Sequence, residues 1–236
     1  MSKRQNIQIT RIQAVIFDLD NVLFDERDYN LAAYHNIAKF LSERYFLDEK
    51  KIFRKLVKDS RRMSTMYSKL FNDLLRDLRL DQQVLSDLLE IFAETKIGLN
   101  LRVSAEKVLI NLKKQMVKLG LLTNGTVKTQ MNKVQLLGIE NYFDAIVYAR
   151  ELGRENEKPN PACYLAILTK LGVGPEGTVC LGDNPYTDFW GAKKLGMLTV
   201  RLLKGEYKNI KLDEEYEADT SVYTLKEFYD LLEKIN

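Results

Sequence analysis

Cysteine and histidine are scarce in this sequence. Its 236 residues include two cysteines, Cys163 and Cys180, and one histidine, His35. The cysteines form no CxxC pair, so the sequence lacks the framework of a disulfide-stapled domain. We therefore predict two free, buried thiols and a protein of the reducing cytoplasm.

Long hydrophobic runs and a large excess of one charge are also missing. No stretch reaches the roughly 18 consecutive apolar residues of a membrane span. The opening residues, MSKRQNIQIT, have a basic flank but no apolar segment of a secretory signal. The net charge is only +3, which gives little reason to expect nucleic acid as a partner. With 45% hydrophobic and 29% charged residues, the chain can bury a substantial core, and we predict a globular protein that binds neither membrane nor nucleic acid.

Proline and glycine are absent from residues 26–97. Apolar residues recur there at the spacing of amphipathic helices, which predicts a bundle of about four helices. Beyond Gly98, short apolar runs alternate with helical stretches, a pattern typical of βαβ units. We predict an α/β fold with a doubly wound parallel sheet, whose core spans residues 1–25 and 98–236. An inserted all-helical cap over residues 26–97 interrupts this core.

Two carboxylates follow the first predicted strand. In QAVIFDLDNVLFDE, residues 13–26, a short apolar run ends in Asp18 and Asp20. Carboxylates so close together repel unless a cation or a shared proton intervenes. A calcium-binding EF-hand loop also begins D-x-D, but Leu23 stands at its glycine position, which argues against that motif. The third acid, Asp25, is predicted to be a hinge or helix-capping residue and not a ligand.

Polar groups follow the other predicted strands as well. In an open α/β sheet the ligand binds outside the carboxyl ends of the strands, so these groups are candidates for one site. Each alone has an ordinary interpretation, as a turn residue, a surface lysine or a helix cap. Their joint occurrence favours a common site. The groups are Thr123, Asn124, Lys158, Asp183 and Asp188.

This set of side chains matches what phosphoryl transfer requires. The reaction needs a nucleophile, positioned donors, a hard cation that offsets the phosphate charge, and an acid for the leaving oxygen. Mg²⁺ prefers carboxylate, carbonyl and water oxygens, so several acids near one phosphate indicate a bound Mg²⁺. Together with Lys158, the cation would also relieve the repulsion between the clustered carboxylates.

Four segments, in order, resemble the motifs of the haloacid dehalogenase superfamily of phosphohydrolases. VIFDLDNVL resembles the first motif, a strand followed by D-x-D, and LLTNG resembles the second. EKPNP resembles the lysine motif, and CLGDNPYTDFWGAKKLGM resembles the fourth. The similarity covers nearly the whole predicted core, and the helical insert between the first two motifs is similar to the family's helical cap. The sequence departs from the pattern at Asn21, where many relatives have glycine, and at Val22, where many have threonine.

The resemblance implies a covalent mechanism. Asp18 would attack phosphorus and form an aspartyl-phosphate, while Asp20 would protonate the leaving alcohol and then activate water. Relatives that cleave carbon–halogen bonds typically lack the second aspartate, so the resemblance favours a phosphatase. The predicted function is Mg²⁺-dependent hydrolysis of a small phosphorylated metabolite. The same residues would serve a phosphomutase acting on a sugar phosphate, and a non-catalytic phosphate-binding or signalling module is a further alternative.

The resemblance also implies which residues bind the phosphate and the metal. Thr123 and Asn124 would hold the phosphoryl oxygens, and Lys158 would screen their charge. The implied Mg²⁺ ligands are the carboxylate of Asp18, the main-chain carbonyl of Asp20 and the carboxylate of Asp183, with Asp188 in support.

A basic run in the predicted cap, KKIFRKLVKDSRR at residues 50–62, has two interpretations. Arg61 or Arg62 could meet a second charged group of the substrate, or the run could be a solvated helix face. The predicted partner is a small-molecule phosphate ester; neither its identity nor the oligomeric state follows from the sequence.

Overall fold

One six-stranded sheet organises the structure, a computed structural model that describes residues 11–63 and 69–235, apart from the side chains of residues 62 and 63. All neighbouring strands are parallel, in the order β3-β2-β1-β4-β5-β6. The predicted α/β class and doubly wound parallel sheet are confirmed. The strands are β1 (Ala14–Phe17), β2 (Lys118–Thr123), β3 (Ala145–Tyr148), β4 (Thr178–Gly182), β5 (Leu198–Leu202) and β6 (Thr220–Val222).

The central strands are continuous apolar runs because both of their faces are covered. All residues of β1 and β4 are buried, as expected for a parallel sheet between two helical layers. The chain builds β2 and β3 on one side of β1, then returns to build β4, β5 and β6 on the other side. The strand order therefore reverses at β1, which is where open α/β sheets bind their ligands.

Helices cover both faces of the sheet. One hydrophobic cluster joins α5 and α9 to the sheet, and a second joins α7 and α8 to it. Ser104 precedes α5, but it has a φ of +70° and its side chain makes no capping hydrogen bond. The helices are α5 (Ala105–Lys114), α6 (Val127–Leu137), α7 (Pro161–Leu171), α8 (Trp190–Leu195) and α9 (Leu225–Ile235).

Between β1 and α5, the described residues form four α-helices, the number that the sequence predicts. These helices pack around a hydrophobic cluster separate from the two clusters against the sheet. Asp25 is the N-cap of the first, and its side chain accepts from the backbone N–H of Arg27, so the predicted capping role is confirmed. The boundaries of the cap stay a prediction. The helices are α1 (Glu26–Tyr45), α2 (Glu49–Met63), α3 (Leu70–Asp77) and α4 (Leu85–Ala93).

The two segments that connect this helical insert to the sheet run side by side. Phe24 forms β-bridges to Asp20 and to Leu101. The backbone N–H of Arg102 donates to the carbonyl of Leu23 over 2.7 Å. The entry and exit of the insert are thereby fixed next to the end of β1. Across the described ranges, no helix combines the length and apolarity needed to cross a membrane.

Two adjacent residues of α5, Leu109 and Ile110, test which face of this helix packs against the sheet. Leu109 is fully buried against the sheet, whereas its neighbour Ile110 is 37% exposed. We expect Leu109→Ala to lower the free energy of unfolding by about 2–5 kcal/mol, because the truncation leaves a cavity. Ile110→Ala should lower it by under about 1 kcal/mol. Urea denaturation of the two variants measures the difference, and equal losses would contradict the assignment of the buried face.

Candidate active site

Lys158 joins the ends of the central strands at the carboxyl edge of the sheet. Its ammonium donates to Asp18 Oδ1 over 2.6 Å and to Asp188 Oδ1 over 2.8 Å. Asp18 directly follows β1, Lys158 lies in the loop between β3 and α7, and Asp188 lies in the loop after β4. All three side chains are buried. The structure therefore brings together residues that are distant in the sequence but follow three different strands.

Three carboxylates gather around this contact. Each of Asp18, Asp183 and Asp188 offers an oxygen, and these oxygens lie within 4.8 Å of one another. Asp188 uses both of its oxygens within the protein, because Oδ2 accepts from the backbone N–H groups of Asp183 and Asn184. Gly182 makes this possible, since a Cβ there would collide with the Asp188 side chain. Asp188 thus braces the loop that carries Asp183.

Asp183 has an oxygen without a partner. Its Oδ2 is shielded from water and has no hydrogen-bond partner among the described residues. A buried polar atom left in this way costs free energy, so it points to a missing ligand.

Burial and mutual repulsion raise the pKa values of the clustered acids. Burial raises the pKa of Asp18 to about 7, with Lys158 opposing the shift and Asp188 adding to it. Burial and the charge of Asp188 raise the pKa of Asp183 well above its usual range. Burial alone would lower the pKa of Lys158, but the adjacent Asp18 and Asp188 raise it above its usual range. One buried ammonium therefore faces three buried carboxylates.

These residues fit a divalent cation. The cluster offers only oxygen donors, has more carboxylates than cations, and contains the unpartnered Oδ2 of Asp183. Oxygen donors of this kind suit a hard ion such as Mg²⁺. Asp18 and Asp183 would hold the ion. That the main-chain carbonyl of Asp20 also binds the ion stays a prediction.

The side chain of Asp20 has different partners from that of Asp18. Its Oδ1 accepts from Lys133 Nζ over 2.7 Å, and its Oδ2 accepts from Gln130 Nε2 over 2.8 Å. Gln130 Nε2 also donates to Thr123 Oγ1 over 2.6 Å. Two residues of α6 thus fix the orientation of the Asp20 carboxylate and link it to Thr123, at the end of β2.

Asn124 fixes the segment that carries Lys158. Its side-chain amide donates to the Lys158 carbonyl over 2.8 Å, and its Oδ1 accepts from the Lys158 backbone N–H over 2.9 Å. This reciprocal pair ties the loop after β2 to the loop after β3. The side chain of Asn124 is therefore structural here, and the phosphate contact of its backbone stays a prediction.

Several polar residues of α6 and α1 lie at the site without having been predicted from the sequence. Gln130 and Lys133 are both buried, and Lys133 also lies 3.4 Å from Glu26. Burial, reinforced by Asp20, raises the pKa of Glu26 to about 7. The signal was the segment TQMNK, residues 129–133, where polar residues three and four apart share one helix face directly after the second motif.

The backbone turns sharply at Asn21. Its φ is +58°, in the left-handed region that glycine and asparagine tolerate best. The departure from glycine at this position is therefore compatible with the bend after Asp20.

A cleft of about 860 Å³ lies between the sheet and the helical insert, beside Asn21 and Glu26. Basic side chains outnumber acidic ones in its walls. Arg61 lines this cleft, whereas the side chain of Arg62 lies outside the described residues. The basic residues are Arg27, Arg61, Arg102, Lys204 and Lys208, and the acidic ones are Asp25, Glu26 and Glu206.

Neither thiol nor the histidine belongs to the acidic cluster, although Cys180 Sγ donates to the backbone carbonyl of Asp188 over 3.6 Å. Cys163 and Cys180 are free and buried, as predicted, and burial raises the pKa of Cys163 to about 12. His35 lies in α1 with its ring 3.5 Å from Glu49.

Comparison with known proteins decides the family. The model of the haloacid dehalogenase-like hydrolases matches residues 15–202, most of the chain. The chain belongs to this family. It is 31% identical over 232 residues to the glyceraldehyde 3-phosphate phosphatase of Methanocaldococcus jannaschii, covering 95% of this chain and 98% of that protein. It is 30% identical over 211 residues to the human N-acylneuraminate-9-phosphatase, covering 80% and 81%. The predicted family and the predicted class of enzyme, a haloacid dehalogenase-like phosphatase, are confirmed.

A solved haloacid dehalogenase-like hydrolase from Bacillus subtilis has the same fold. It superposes with a TM-score of 0.71 at 20% identity and covers 94% of this chain and 99% of its own. That protein was crystallised with bound magnesium.

The acidic cluster predicts how stability depends on pH in the absence of a metal. The pKa of Asp18 rises from an ordinary 3.8 to about 7 on folding, so its stabilising contribution is complete below pH 4 and is lost as the pH rises through 7. We expect EDTA-treated protein to lose on the order of 4 kcal/mol of unfolding free energy relative to Asp18→Asn between pH 4 and pH 8. Urea denaturation at several pH values measures this difference.

Added Mg²⁺ should abolish this loss in the wild-type protein, because the cation stabilises the ionised carboxylates. A difference between the two proteins that stays constant with pH would contradict the assignment.

Proposed function

We propose that this protein is a Mg²⁺-dependent phosphomonoester hydrolase that acts on a small phosphorylated metabolite through an aspartyl-phosphate on Asp18. The observation that carries the proposal is the buried contact of Lys158 with Asp18, next to the unpartnered oxygen of Asp183. The proposed nucleophile Asp18, the ammonium of Lys158 and the proposed metal ligand Asp183 lie together there, where the strand order of the sheet reverses.

Asp18 is suited to the role of nucleophile. Lys158 binds its Oδ1, which leaves Oδ2 to attack phosphorus. Attack forms the bond between Asp18 Oδ2 and phosphorus and breaks the ester bond, and Asp20 gives its proton to the departing alkoxide. In the second half-reaction Asp20 takes a proton from water, which attacks the phosphoryl group and releases inorganic phosphate and the free Asp18 carboxylate.

The other residues of the site position the phosphoryl group. Thr123 and the backbone of Asn124 would donate to its oxygens, and Lys158 would screen their charge. Lys133 and Gln130 hold the carboxylate of Asp20 in one orientation. Bound Mg²⁺ would supply the remaining positive charge that phosphoryl transfer requires.

The substrate is expected to be a small phosphate ester that enters the cleft between the sheet and the helical insert. Two relatives support this class, since their names specify glyceraldehyde 3-phosphate and N-acylneuraminate 9-phosphate as substrates. The excess of basic side chains around the cleft would attract anionic molecules.

Replacement of the two catalytic aspartates tests the mechanism. We expect Asp18→Asn to abolish release of inorganic phosphate and EDTA to do the same reversibly. Asp20→Asn should slow an alkyl phosphate by about 10²–10⁴-fold. It should slow an aryl phosphate much less, because a phenolate leaves without a proton. Assays of phosphate release on both substrate types measure these effects, with Asp28→Asn, on the exposed side of α1, as the control.

Full activity of Asp18→Asn, or activity in EDTA, would contradict the proposal. Formation of an isomerised sugar phosphate in place of inorganic phosphate would identify the phosphomutase instead.

Arg61 is the candidate contact for a second anionic group of the substrate. We expect Arg61→Gln to raise KM about two- to fivefold for substrates with such a group, since the side chain is exposed and its ion pair is partly screened. Arg54→Gln, on the same helix but outside the cleft, is the matched control. Steady-state kinetics on phosphate esters with and without a carboxylate distinguish a direct contact of Arg61 with the substrate from a solvated helix face. An equal rise in KM for both substrates would favour the solvated-face interpretation.

A further inference from the structure

A buried arginine, Arg201, lies in β5 next to the end of β4. It is the register partner of Gly182, which directly precedes Asp183. Its neighbours along the strand, Val200 and Leu202, are apolar and buried, as a strand covered on both faces requires. Taking a guanidinium out of water is costly unless its donors are bonded. The bonds that Arg201 makes therefore indicate what it contributes to the structure.

The guanidinium of Arg201 holds the backbone of the candidate metal ligand. Its Nε donates to the main-chain carbonyl of Asp183 over 3.3 Å. The backbone N–H of Asp183 donates to Asp188 Oδ2 over 3.0 Å. The main chain of Asp183 is thus held on both sides, while its side-chain Oδ2 has no hydrogen-bond partner among the described residues. This arrangement fixes the residue without using the oxygen that would bind a cation.

The other donors of Arg201 hold the segment that follows β5. Nη2 donates to the carbonyl of Tyr207, and Nη1 donates to the carbonyl of Ile210 over 3.0 Å. Nη1 also donates to Glu217 Oε2 over 2.9 Å. We call residues 203–210 the β5 loop, and two of its carbonyls are bonded to the same side chain that holds Asp183.

The β5 loop forms part of the wall of the cleft between the sheet and the helical insert. The lining residues from this loop are Leu203, Lys204, Gly205, Glu206, Lys208 and Asn209. The loop packs closely against the turn after Asp20, because a Cβ at Gly205 would come within 2.7 Å of the Asn21 side chain. One guanidinium therefore fixes the proposed metal ligand and this wall of the cleft relative to each other.

We propose that Arg201 is a positioning residue that holds Asp183 and the β5 loop in the arrangement that Mg²⁺ and substrate require. The inference rests on the proposed Mg²⁺-dependent phosphomonoesterase function. Arg201 acts through main-chain carbonyls and contacts neither the ion nor the substrate. Residues that orient metal ligands from outside commonly contribute about 10- to 100-fold to metal affinity.

Binding of Mg²⁺ to variants of Arg201 tests the role, because charge and position predict opposite results. If only its charge mattered, removing a cation near the site would strengthen Mg²⁺ binding. If Arg201 positions Asp183, we expect Arg201→Met to weaken Mg²⁺ binding by about 10- to 100-fold. Isothermal titration calorimetry with Mg²⁺ on substrate-free protein measures the affinity.

Arg201→Lys separates charge from geometry. The ammonium keeps the charge and can retain the ion pair with Glu217, so this variant should fold even where Arg201→Met does not. It lacks the planar fork of donors that reaches several carbonyls, so it should also weaken Mg²⁺ binding. Hydrogen exchange, followed by mass spectrometry, should be faster in its β5 loop than in the wild-type protein.

Lys193→Met is the matched control. Lys193 Nζ donates to the carbonyls of Glu214 and Glu217, so it also fixes the segment after β5. It makes no hydrogen bond to Asp183 within the part of the chain that the structure describes. We therefore expect Lys193→Met to keep the wild-type Mg²⁺ affinity and to change hydrogen exchange only beyond Ile210.

Three results would overturn the positioning role while phosphatase activity stands. They are an unchanged or higher Mg²⁺ affinity in Arg201→Lys, an equal loss of affinity in Lys193→Met, and unchanged hydrogen exchange in the β5 loop of Arg201→Lys. A wild-type protein that binds no Mg²⁺ and releases no phosphate from the aryl phosphate would instead overturn the proposed function and this inference with it.

Discussion

The structure depends on one buried ammonium, that of Lys158, lying between Asp18 and Asp188. Removing charges from water is costly, and their attraction offsets that cost only when the geometry is good and the remaining polar atoms are bonded. Both conditions are largely met here, since Asp188 also binds two backbone N–H groups and Asn124 holds the Lys158 backbone at both its N–H and its carbonyl. The exception is Asp183 Oδ2, which has no hydrogen-bond partner among the described residues. The residue that costs stability is thus the one suited to bind a metal.

A second buried ammonium, that of Lys133, lies on the other side of the site. It contacts Asp20, the proposed acid, and Glu26, in the first turn of the helical insert. Its neighbour Asn132 donates to the Thr95 carbonyl at the far end of the same insert. Helix α6 therefore touches the reacting region and both connections to the insert.

Much of the fold and half of the site could be predicted from the sequence, and the reasons are physical. A parallel sheet needs apolar strands and places its ligand groups just past their ends, so Asp18 and Asp183 can be recognised as polar residues directly after apolar runs. The missed residues, Gln130 and Lys133, lie within a helix, where a buried polar face looks like a solvated one. Ser104 shows the same limit, since a residue with capping chemistry precedes the helix but takes a backbone conformation that prevents the cap.

The sequence by itself determined the α/β class, the helical insert and the identity of the charged groups at the strand ends, because periodicity and residue chemistry are local properties. Only the tertiary structure decided which groups pair. It divided two neighbouring aspartates between different lysines, Asp18 to Lys158 and Asp20 to Lys133. It also joined Asp183 to the loop after β5 through Arg201. Such pairings depend on how separate elements pack, and packing distances across the chain are not encoded in any short stretch of it.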